Sequence, residues 1–549
     1  MLGGSVLWFR HGLRLHDNPS LHEALEDRDV PFFPMFIFDG ETAGTKVVGY
    51  NRMRYLLEAL DDLDQQFRKH GGRLIMLKGK PNMVFRRLWE EFGIRKLCFE
   101  QDCEPVWRAR DDSVKTACRE IGVTCREHVS HTLWEPDTVI KANGGIPPLT
   151  YQMFLHTVAT IGDPPRPVCE ADFKGVKFGT LPESFYQEFT VFDKAPKPED
   201  LGVFLETEDI RMIRWVGGET TALKQMQQRL AVEHETFCRG SYLPTHGNPD
   251  LLGRPISLSP ALRFGCLSVR SFYWSVQDLF RQVHQGRLDS TQFITGQLIW
   301  REYFYTMSVN NPNYGQMAGN PICLDIPWKN PEGDELQRWV EGRTGFPFVD
   351  AAMRQLRSEG WLHHAARNTV ASFLTRGTLW LSWEHGLNHF LKYLLDADWY
   401  VRSWTRPCGS CGRRAGCTTR RATPWPPSSR AARSGSPGST ASTTSSSTCS
   451  MLIGQCAPAI GCGYHRLRSK PSWTRATVRA RCGWASAWTP AESTSGDTCP
   501  SCLACPSSTS TSHGKPPLTC RSAPTASSAR STPRPSSTMS WPLNATETL

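Results

Sequence analysis

The sequence predicts an α/β domain built on a doubly wound parallel sheet, followed by a large all-α domain. Over residues 1–130, short apolar runs typical of buried strands alternate with segments in which apolar residues recur every three or four positions. A connector rich in Pro, Gly and acidic residues covers residues 131–205. Over residues 206–401 the pattern is almost wholly helical and rich in aromatic residues.

Four apolar runs are the predicted strands of the sheet: residues 5–10, 32–38, 73–78 and 96–99. Two amphipathic segments between them, residues 53–70 and 83–92, are predicted helices. Strands that alternate with helices pair in parallel, because each helix carries the chain back to the start of the next strand. The first domain is therefore predicted to consist of successive βα units.

Composition limits the classes of function that the chain can have. Of its 549 residues 39% are apolar, and no apolar run approaches the roughly 20 residues that a membrane-spanning helix needs. Residues 1–10 lack the basic segment with which a signal peptide begins. We therefore expect no membrane partner and a location in the cytoplasm and nucleus.

The net charge of +10 comes entirely from the C-terminal part of the chain. From Arg402 onward there are 18 Lys and Arg against 3 Asp and Glu; of totals of 63 and 53, this leaves 45 basic and 50 acidic residues in the first 401. A DNA enzyme usually carries a basic footprint beside its site. The slightly acidic body therefore predicts weak DNA binding or none.

The 19 cysteines do not form a metal-binding pattern. The eight in the first 401 residues are scattered, as in a protein that is kept reduced. Beyond them, Cys408 and Cys411 have CxxC spacing, and Cys499, Cys502 and Cys505 have CxxCxxC spacing. No second half of Cys or His stands at the spacing that zinc sites use. We expect no bound metal.

The first motif follows the first predicted strand. The letters WFR at residues 8–10 lead to LRLHDNP at residues 13–19. Asp17, Asn18 and Pro19 are typical of a helix start. Taken alone, the segment could serve packing only.

The second motif begins with Tyr242 and reaches LSPALRFGCLS at residues 258–268. Ser259 followed by Pro260 predicts a helix with a hydroxyl N-cap and proline at its first position. Exposed amides at such a start suit a diphosphate, and Ser257 and Arg229 are further candidates for it. Ordinary helix capping is the alternative reading of the same residues.

Two longer helical motifs and an acidic one follow. Residues 294–305, ITGQLIWREYFY, place Gln297, Arg301 and an aromatic pair at helical spacing on one predicted face. Residues 360–368, GWLHHAARN, contain adjacent histidines that should point to different helix faces, which disfavours a metal pair. In Asp396-Ala397-Asp398 two carboxylates stand in a mostly apolar segment and need partners or exposure.

Together these motifs, from residue 6 to residue 401, resemble the cryptochrome/photolyase family, and most of all its insect light-sensing cryptochromes. The resemblance implies bound FAD, and an ion pair between Arg367 and Asp396. It also implies that His364 lies against the flavin. The FAD contacts that it implies are Arg229, Tyr242, Ser257, Ser259, Gln297, His364, Arg367, Asp396, Ala397 and Asp398.

The same resemblance implies an electron-transfer chain of tryptophans and no residue that acts as a catalytic acid or base. Trp383 matches the middle member of the chain, Trp328 matches the distal member, and Trp380 extends it. Without the resemblance, each would be read as a core aromatic.

The family pattern fails just beyond Val401. The flavin-proximal tryptophan is expected about ten residues beyond Asp396, where this chain has Thr405 and Arg406, and Arg402 stands at the position that faces the flavin ring. These departures predict weakened FAD retention and impaired photoreduction.

Residues 402–549 have a composition typical of a disordered tail, with Ser, Thr, Pro, Gly and Arg dominant and no apolar periodicity. An alternative is an out-of-frame translation. Residues 495–506, back-translated and read two nucleotides on, can encode RRYLPELPGLP, which resembles the C-terminal segment of cryptochromes. We predict that sequencing the transcript reveals a slipped base near residue 402.

The resemblance implies an FAD-dependent blue-light photoreceptor for circadian light input, and not an enzyme. Its implied partners are clock proteins such as Timeless and Period, together with ubiquitin-ligase components. A DNA photolyase that repairs pyrimidine dimers is one alternative function, and a light-independent clock transcriptional repressor is another.

Overall fold

The chain begins in a sheet whose inner strands are parallel. The computed structural model describes residues 3–40, 48–206, 214–239, 257–284 and 294–398. The strands found there are β1 Ser5–Phe9, β2 Phe32–Phe38, β3 Ile75–Lys78, β4 Lys96–Glu100, β5 Thr124–His128 and β6 Thr190–Phe192. Their order is β5-β4-β1-β2-β3-β6, and all pairs are parallel except β3 with β6.

Helices cover both faces of this sheet. They are α1 Pro19–Ala24, α2 Tyr50–Lys69, α3 Pro81–Phe92 and α4 Pro105–Glu120. Alternate residues of β1 enter two different cores: Leu7 and Phe9 pack with α1 and α2, while Val6 and Trp8 pack with α3 and α4. The predicted doubly wound α/β domain is thereby confirmed.

The predicted connector contains more structure than its composition suggested. Within it lie α5 Pro136–Ala142, α6 Tyr151–Ile161, α7 Glu183–Glu188, strand β6 and the 3-10 helix Pro198–Leu201. Strand β6 pairs antiparallel with β3, Met76 opposite Phe192. The parallel sheet therefore gains one antiparallel strand at this edge, because the connector returns along β3.

The remainder of the described chain is almost entirely helical, as predicted. Its elements are α8 Glu219–Cys238, α9 Ser259–Phe264, α10 Val269–Val283, α11 Ile294–Ser308, α12 Glu335–Glu341, α13 Pro347–Glu359, α14 His364–Ser372, a π-helical turn Phe373–Gly377 and α15 Trp383–Tyr393. Helices α9 to α11 share a core with the sheet, and α12 to α15 form a second core of their own. No helix within the described ranges is long and apolar enough to span a bilayer.

The loop after β1 docks on the helical domain. Asp17, which has a positive φ of 44°, accepts hydrogen bonds from Arg270 Nε at 3.0 Å and Nη2 at 2.7 Å. Gly12 and Gly265 approach so closely that a Cβ on Gly265 would lie 2.3 Å from the Gly12 nitrogen. The predicted helix start is confirmed, since Asn18 caps α1. The first motif therefore fixes one domain against the other.

Candidate functional site

The carboxylate of Asp396 brings together four of the predicted site residues. Ser259 Oγ donates to Asp396 Oδ2 at 2.6 Å, and Arg367 Nη2 donates to the same oxygen at 2.8 Å. Ser257 Oγ lies 2.9 Å from Ser259 Oγ. The ion pair that the resemblance implies between Arg367 and Asp396 is thus present, and α9, α14 and the segment after α15 meet at one carboxylate.

Ser259 is not the N-cap that the sequence predicted. Helix α9 begins at Ser259 itself, the cap position is Leu258, and no side chain makes a capping bond there. Its hydroxyl donates to Asp396, and a hydrogen bond to a charged acceptor is stronger than one to a neutral acceptor. The hydroxyl of Ser259 therefore links the start of α9 to the acidic segment.

A second buried cluster holds the carboxylate of Asp398. Tyr305 donates its hydroxyl to Asp398 Oδ1 at 2.7 Å, and Arg263 Nε lies 3.1 Å from the same atom. Arg263 also pairs with Glu104 across the domain boundary, Nη2 to Oε1 at 3.0 Å. These charged side chains are at most 4% exposed. One guanidinium therefore compensates two buried carboxylates.

The backbone between the two aspartates is held by arginines. The Ala397 carbonyl accepts from Arg263 Nε at 2.8 Å and from Arg52 Nη2 at 3.1 Å, and Arg52 Nη1 donates to the Leu394 carbonyl at 2.7 Å. Burial and the neighbouring Arg263 lower the pKa of Arg52 to about 9. Arg52 belongs to α2, so the α/β domain itself helps to position the acidic segment.

The residues that the third motif places on one face of α11 differ in burial. Arg301 and Tyr305 point inward, and Nη2 of Arg301 lies 2.8 Å from His131 Nε2. Burial raises the pKa of Glu302 to about 7. Gln297 and Phe304 are half-buried, whereas Arg301 and Tyr305 are buried. The four positions lie on one side of α11, as the spacing predicted, and they differ only in how deeply they are buried.

The two histidines of the fourth motif contact each other, which the sequence argument did not expect. Their ring centroids are 4.2 Å apart, since His363 is the N-cap of α14 and His364 its first residue. Burial, with the nearby His363 and Arg367, lowers the pKa of His364 to about 4. His364 is therefore neutral at physiological pH.

The three predicted electron-transfer tryptophans differ in exposure. Trp383 is completely buried at the start of α15, Trp328 is half-buried, and Trp380 is 46% exposed. The rings of Trp328 and Trp380 lie 5.2 Å apart, where Lys329 N donates to the Trp380 carbonyl at 3.0 Å. Trp328 and Trp380 thus form a ring pair that reaches the surface, and Trp383 lies in the interior three positions beyond Trp380.

Other predicted residues do not join these clusters or cannot be placed. Arg229 lies on α8 and pairs with Glu233 of the same helix at 2.6 Å. Tyr242 lies outside the described residues, as do Arg402, Thr405, Arg406 and the whole predicted tail. Their roles remain predictions.

Comparison with known families agrees with the geometry. A profile described as DNA photolyase matches residues 5–170, and one described as the FAD binding domain of DNA photolyase matches residues 293–435. Cryptochrome-1 of Anopheles gambiae is 60% identical over 408 residues, covering 72% of this chain and 75% of that protein. The chain belongs to the cryptochrome/photolyase family.

Two further relatives show the range of this cryptochrome/photolyase family. Cryptochrome-1 of Drosophila melanogaster is 56% identical over 411 residues, covering 73% of this chain and 76% of the relative. The crystal structure of a bacterial class III photolyase from Agrobacterium tumefaciens is 27% identical, with a TM-score of 0.59 over 73% of this chain and 78% of that one. The fold is therefore shared with enzymes as well as with cryptochromes.

FAD is the cofactor of this cryptochrome/photolyase domain. The residues present fit it, because Asp396 Oδ1 is buried and has no hydrogen-bond partner within the described part of the chain. A buried acceptor without a donor is costly, and the flavin ring and ribityl chain carry N–H and O–H donors. Ser257, Ser259, Arg367 and Asp396 would hold the group.

Sequence reasoning missed the arginines and acids that hold the acidic segment of this cryptochrome/photolyase site. Arg52 and Glu104 lie 345 and 159 positions from the residues that they contact, Ala397 and Arg263. A charged residue within the apolar stripe of α2 was the available signal for Arg52, which is 1% exposed.

The depressed pKa of His364 predicts a pH dependence of stability. The unfolded chain takes up a proton on this residue near its ordinary pKa of 6.5, whereas the folded chain does so only near 4. Stability therefore falls as the pH drops from about 6.5 to about 4. H364Q should flatten this part of the profile of urea midpoint against pH. Parallel profiles for H364Q and the parent chain would contradict the assignment.

Proposed function

We propose that the chain is an FAD-dependent blue-light photoreceptor that serves circadian light input. The observation that carries the proposal is the set of three tryptophans, of which Trp383 is buried and Trp380 is 46% exposed. A route of aromatic rings from an interior site to solvent is what light-driven electron supply requires. Aromatic residues that serve only packing do not require such a change from a buried ring to an exposed one.

When bound, FAD supplies absorption of blue light and an acceptor for an electron. The protein contributes placement and electrostatics. Arg367 is a permanent cation beside the site, held by the Leu362 carbonyl at 2.8 Å and by Asp396, and it favours added negative charge nearby. Neutral His364 lies one turn from it in α14. Neither group needs to transfer a proton for this role.

The deciding experiment is FAD uptake. The purified chain is incubated with excess FAD, separated from free ligand, and examined by visible absorption before and after blue light. A second form, in which residues from 402 onward are translated in the shifted frame, is measured beside it. We expect the restored form to retain FAD and to be photoreduced, and the chain as given to do both weakly. A folded restored form that never takes up FAD would sink the proposal.

We expect W328F in the restored form to slow photoreduction at least several-fold, because it removes the indole ring that lies 5.2 Å from the ring of Trp380. FAD affinity should not change. The matched control is W89F, which alters a tryptophan that is 39% exposed on α3 of the other domain. The rate of bleaching of the blue absorption band under illumination measures both. Equal rates in W328F and W89F would contradict the proposed route.

We propose that its partners are clock proteins such as Timeless and Period, with ubiquitin-ligase components. Pull-down of Timeless by the restored form in light and in darkness tests this, with binding expected only after illumination. Two assays separate the other candidate functions. Light-dependent repair of pyrimidine dimers would indicate a photolyase, and repression of a clock reporter in darkness would indicate a transcriptional repressor.

A further inference from the structure

Two cysteines of the α/β domain lie on adjacent elements. Both are far in sequence from the acidic segment of the candidate site. Cys118 lies in the last turn of α4 and Cys125 near the start of β5. The connection between them is tight: the Cys118 carbonyl accepts from Ile121 N at 3.2 Å and from Val123 N at 2.8 Å. The chain therefore reverses direction in a tight turn, and β5 runs beside α4.

The register of helix and strand brings the two thiols together. Lys115 and Cys118 are three residues apart on α4 and share a face, as do Cys125 and Glu127, two residues apart on β5. Lys115 Nζ lies 3.1 Å from Glu127 Oε1, and this ion pair is one contact between α4 and β5. Next to it, Cys118 is a buried member of the core under α3 and α4, and Cys125 packs against that same core.

The two thiols have different surroundings. Cys118 is 1% exposed within the core under α3 and α4, whereas Cys125 is only partly buried at the margin of that core. The neighbouring Cys118 lowers the pKa of Cys125 despite partial burial, and Lys115 and Arg119 act in the same direction. Contact with Cys125 and burial raise the pKa of Cys118. Cys125 is therefore the more accessible of the two sulfurs and the one that loses its proton more readily.

We propose that Cys118 and Cys125 form a reversible oxidation site whose substrate is a hydroperoxide. The Cys125 thiolate attacks the terminal peroxide oxygen and the O–O bond breaks, which gives a sulfenic acid and, after protonation, an alcohol or water. The Cys118 sulfur then attacks Cys125, its proton leaves with the hydroxyl as water, and the S–S bond forms. In total, two thiols and one hydroperoxide become one disulfide, one alcohol or water, and one water.

Four other cysteines of the described chain differ from this pair. Burial raises the pKa of Cys98 and of Cys266 to about 12, which keeps both as unreactive thiols. Cys169 and Cys238 are exposed. They serve as internal controls, because a reaction that depends on access alone would modify them first.

The test uses the full chain treated with hydrogen peroxide, blocked with an alkylating reagent and digested for peptide mass spectrometry. We expect a Cys118–Cys125 linked peptide that disappears on treatment with dithiothreitol. C118A should stop at the sulfenic acid, trapped on Cys125 by dimedone, and C125A should show neither product. C169A is the matched control and should form the disulfide as the parent chain does.

Since Cys118 lies in the core, K115M supplies a second test that leaves the core unchanged. Removing this cation should slow formation of the linked peptide at least two-fold at neutral pH. Absence of the Cys118–Cys125 peptide in the parent chain, or dimedone labelling of Cys169 and Cys238 ahead of Cys125 in C118A, overturns the proposal. An unchanged rate in K115M also counts against it.

Discussion

Replacing Arg263 by methionine should lower the free energy of unfolding by about 3–5 kcal/mol, because it leaves buried carboxylates without their counter-charge. Arg263 is 3% exposed and lies 3.0 Å from Glu104 and 3.1 Å from Asp398. It also donates to the Ala397 carbonyl at 2.8 Å. Methionine keeps much of the volume and removes every one of these donors. The urea midpoint, followed by circular dichroism, measures the loss.

The same substitution at Arg239 is the matched control. Arg239 pairs with Glu235 at the end of α8, but the two side chains are 69% and 61% exposed. An exposed pair four residues apart on a helix contributes only about 0.3–0.5 kcal/mol. R239M should therefore leave the urea midpoint almost unchanged. If R263M and R239M shift the midpoint equally, the buried cluster does not stabilise the fold as described.

D396N should weaken FAD binding at least tenfold, which corresponds to about 1.4 kcal/mol. Asp396 accepts from Ser259 at 2.6 Å and from Arg367 at 2.8 Å, and its other oxygen is buried without a partner in the described chain. Asparagine keeps the shape but removes the charge that compensates Arg367, and it replaces one acceptor by a donor. The dissociation constant is measured in the restored form, from the quenching of FAD fluorescence as FAD is titrated with the protein.

D350N controls for the general cost of neutralising a buried aspartate. Asp350 accepts from Thr344 N at 2.7 Å and from Gly345 N at 2.9 Å at the start of α13, and it is 8% exposed. Those bonds lower the pKa of Asp350 against the effect of burial. D350N should lower stability and leave the FAD dissociation constant unchanged. Wild-type affinity in D396N, or equal weakening in both variants, contradicts the assigned role.

The strands that sequence analysis found are those with two buried faces. Strand β2, residues Phe32–Phe38, is buried at every position and reads as one apolar run. Strand β5 was missed because it is the outer parallel strand, with exposed Thr124 and Arg126. Strand β6 was missed because it is three residues long and depends on its pairing with β3. Edge strands carry a weak signal in their own composition.

The candidate site divides in a similar way. Ser259, Arg367 and Asp396 came from family motifs, and the structure joins them through one carboxylate. Arg52 and Glu104 could not be found, because nothing in a local pattern says which distant backbone carbonyl or arginine a buried charge will meet. Ser259 illustrates the limit within a motif: its type suggested a cap, but it is the first residue of α9 and its hydroxyl donates to a distant aspartate that no local pattern identifies.

Residues 394–398 are held by hydrogen bonds from side chains that come earlier in the sequence. Arg52 and Arg263 donate to backbone carbonyls of this segment. Tyr305 donates to the side chain of Asp398, and Arg367 donates to that of Asp396. Each anchor precedes the segment that it restrains. The position of residues 394–398 is therefore determined by contacts with residues that precede them in the chain.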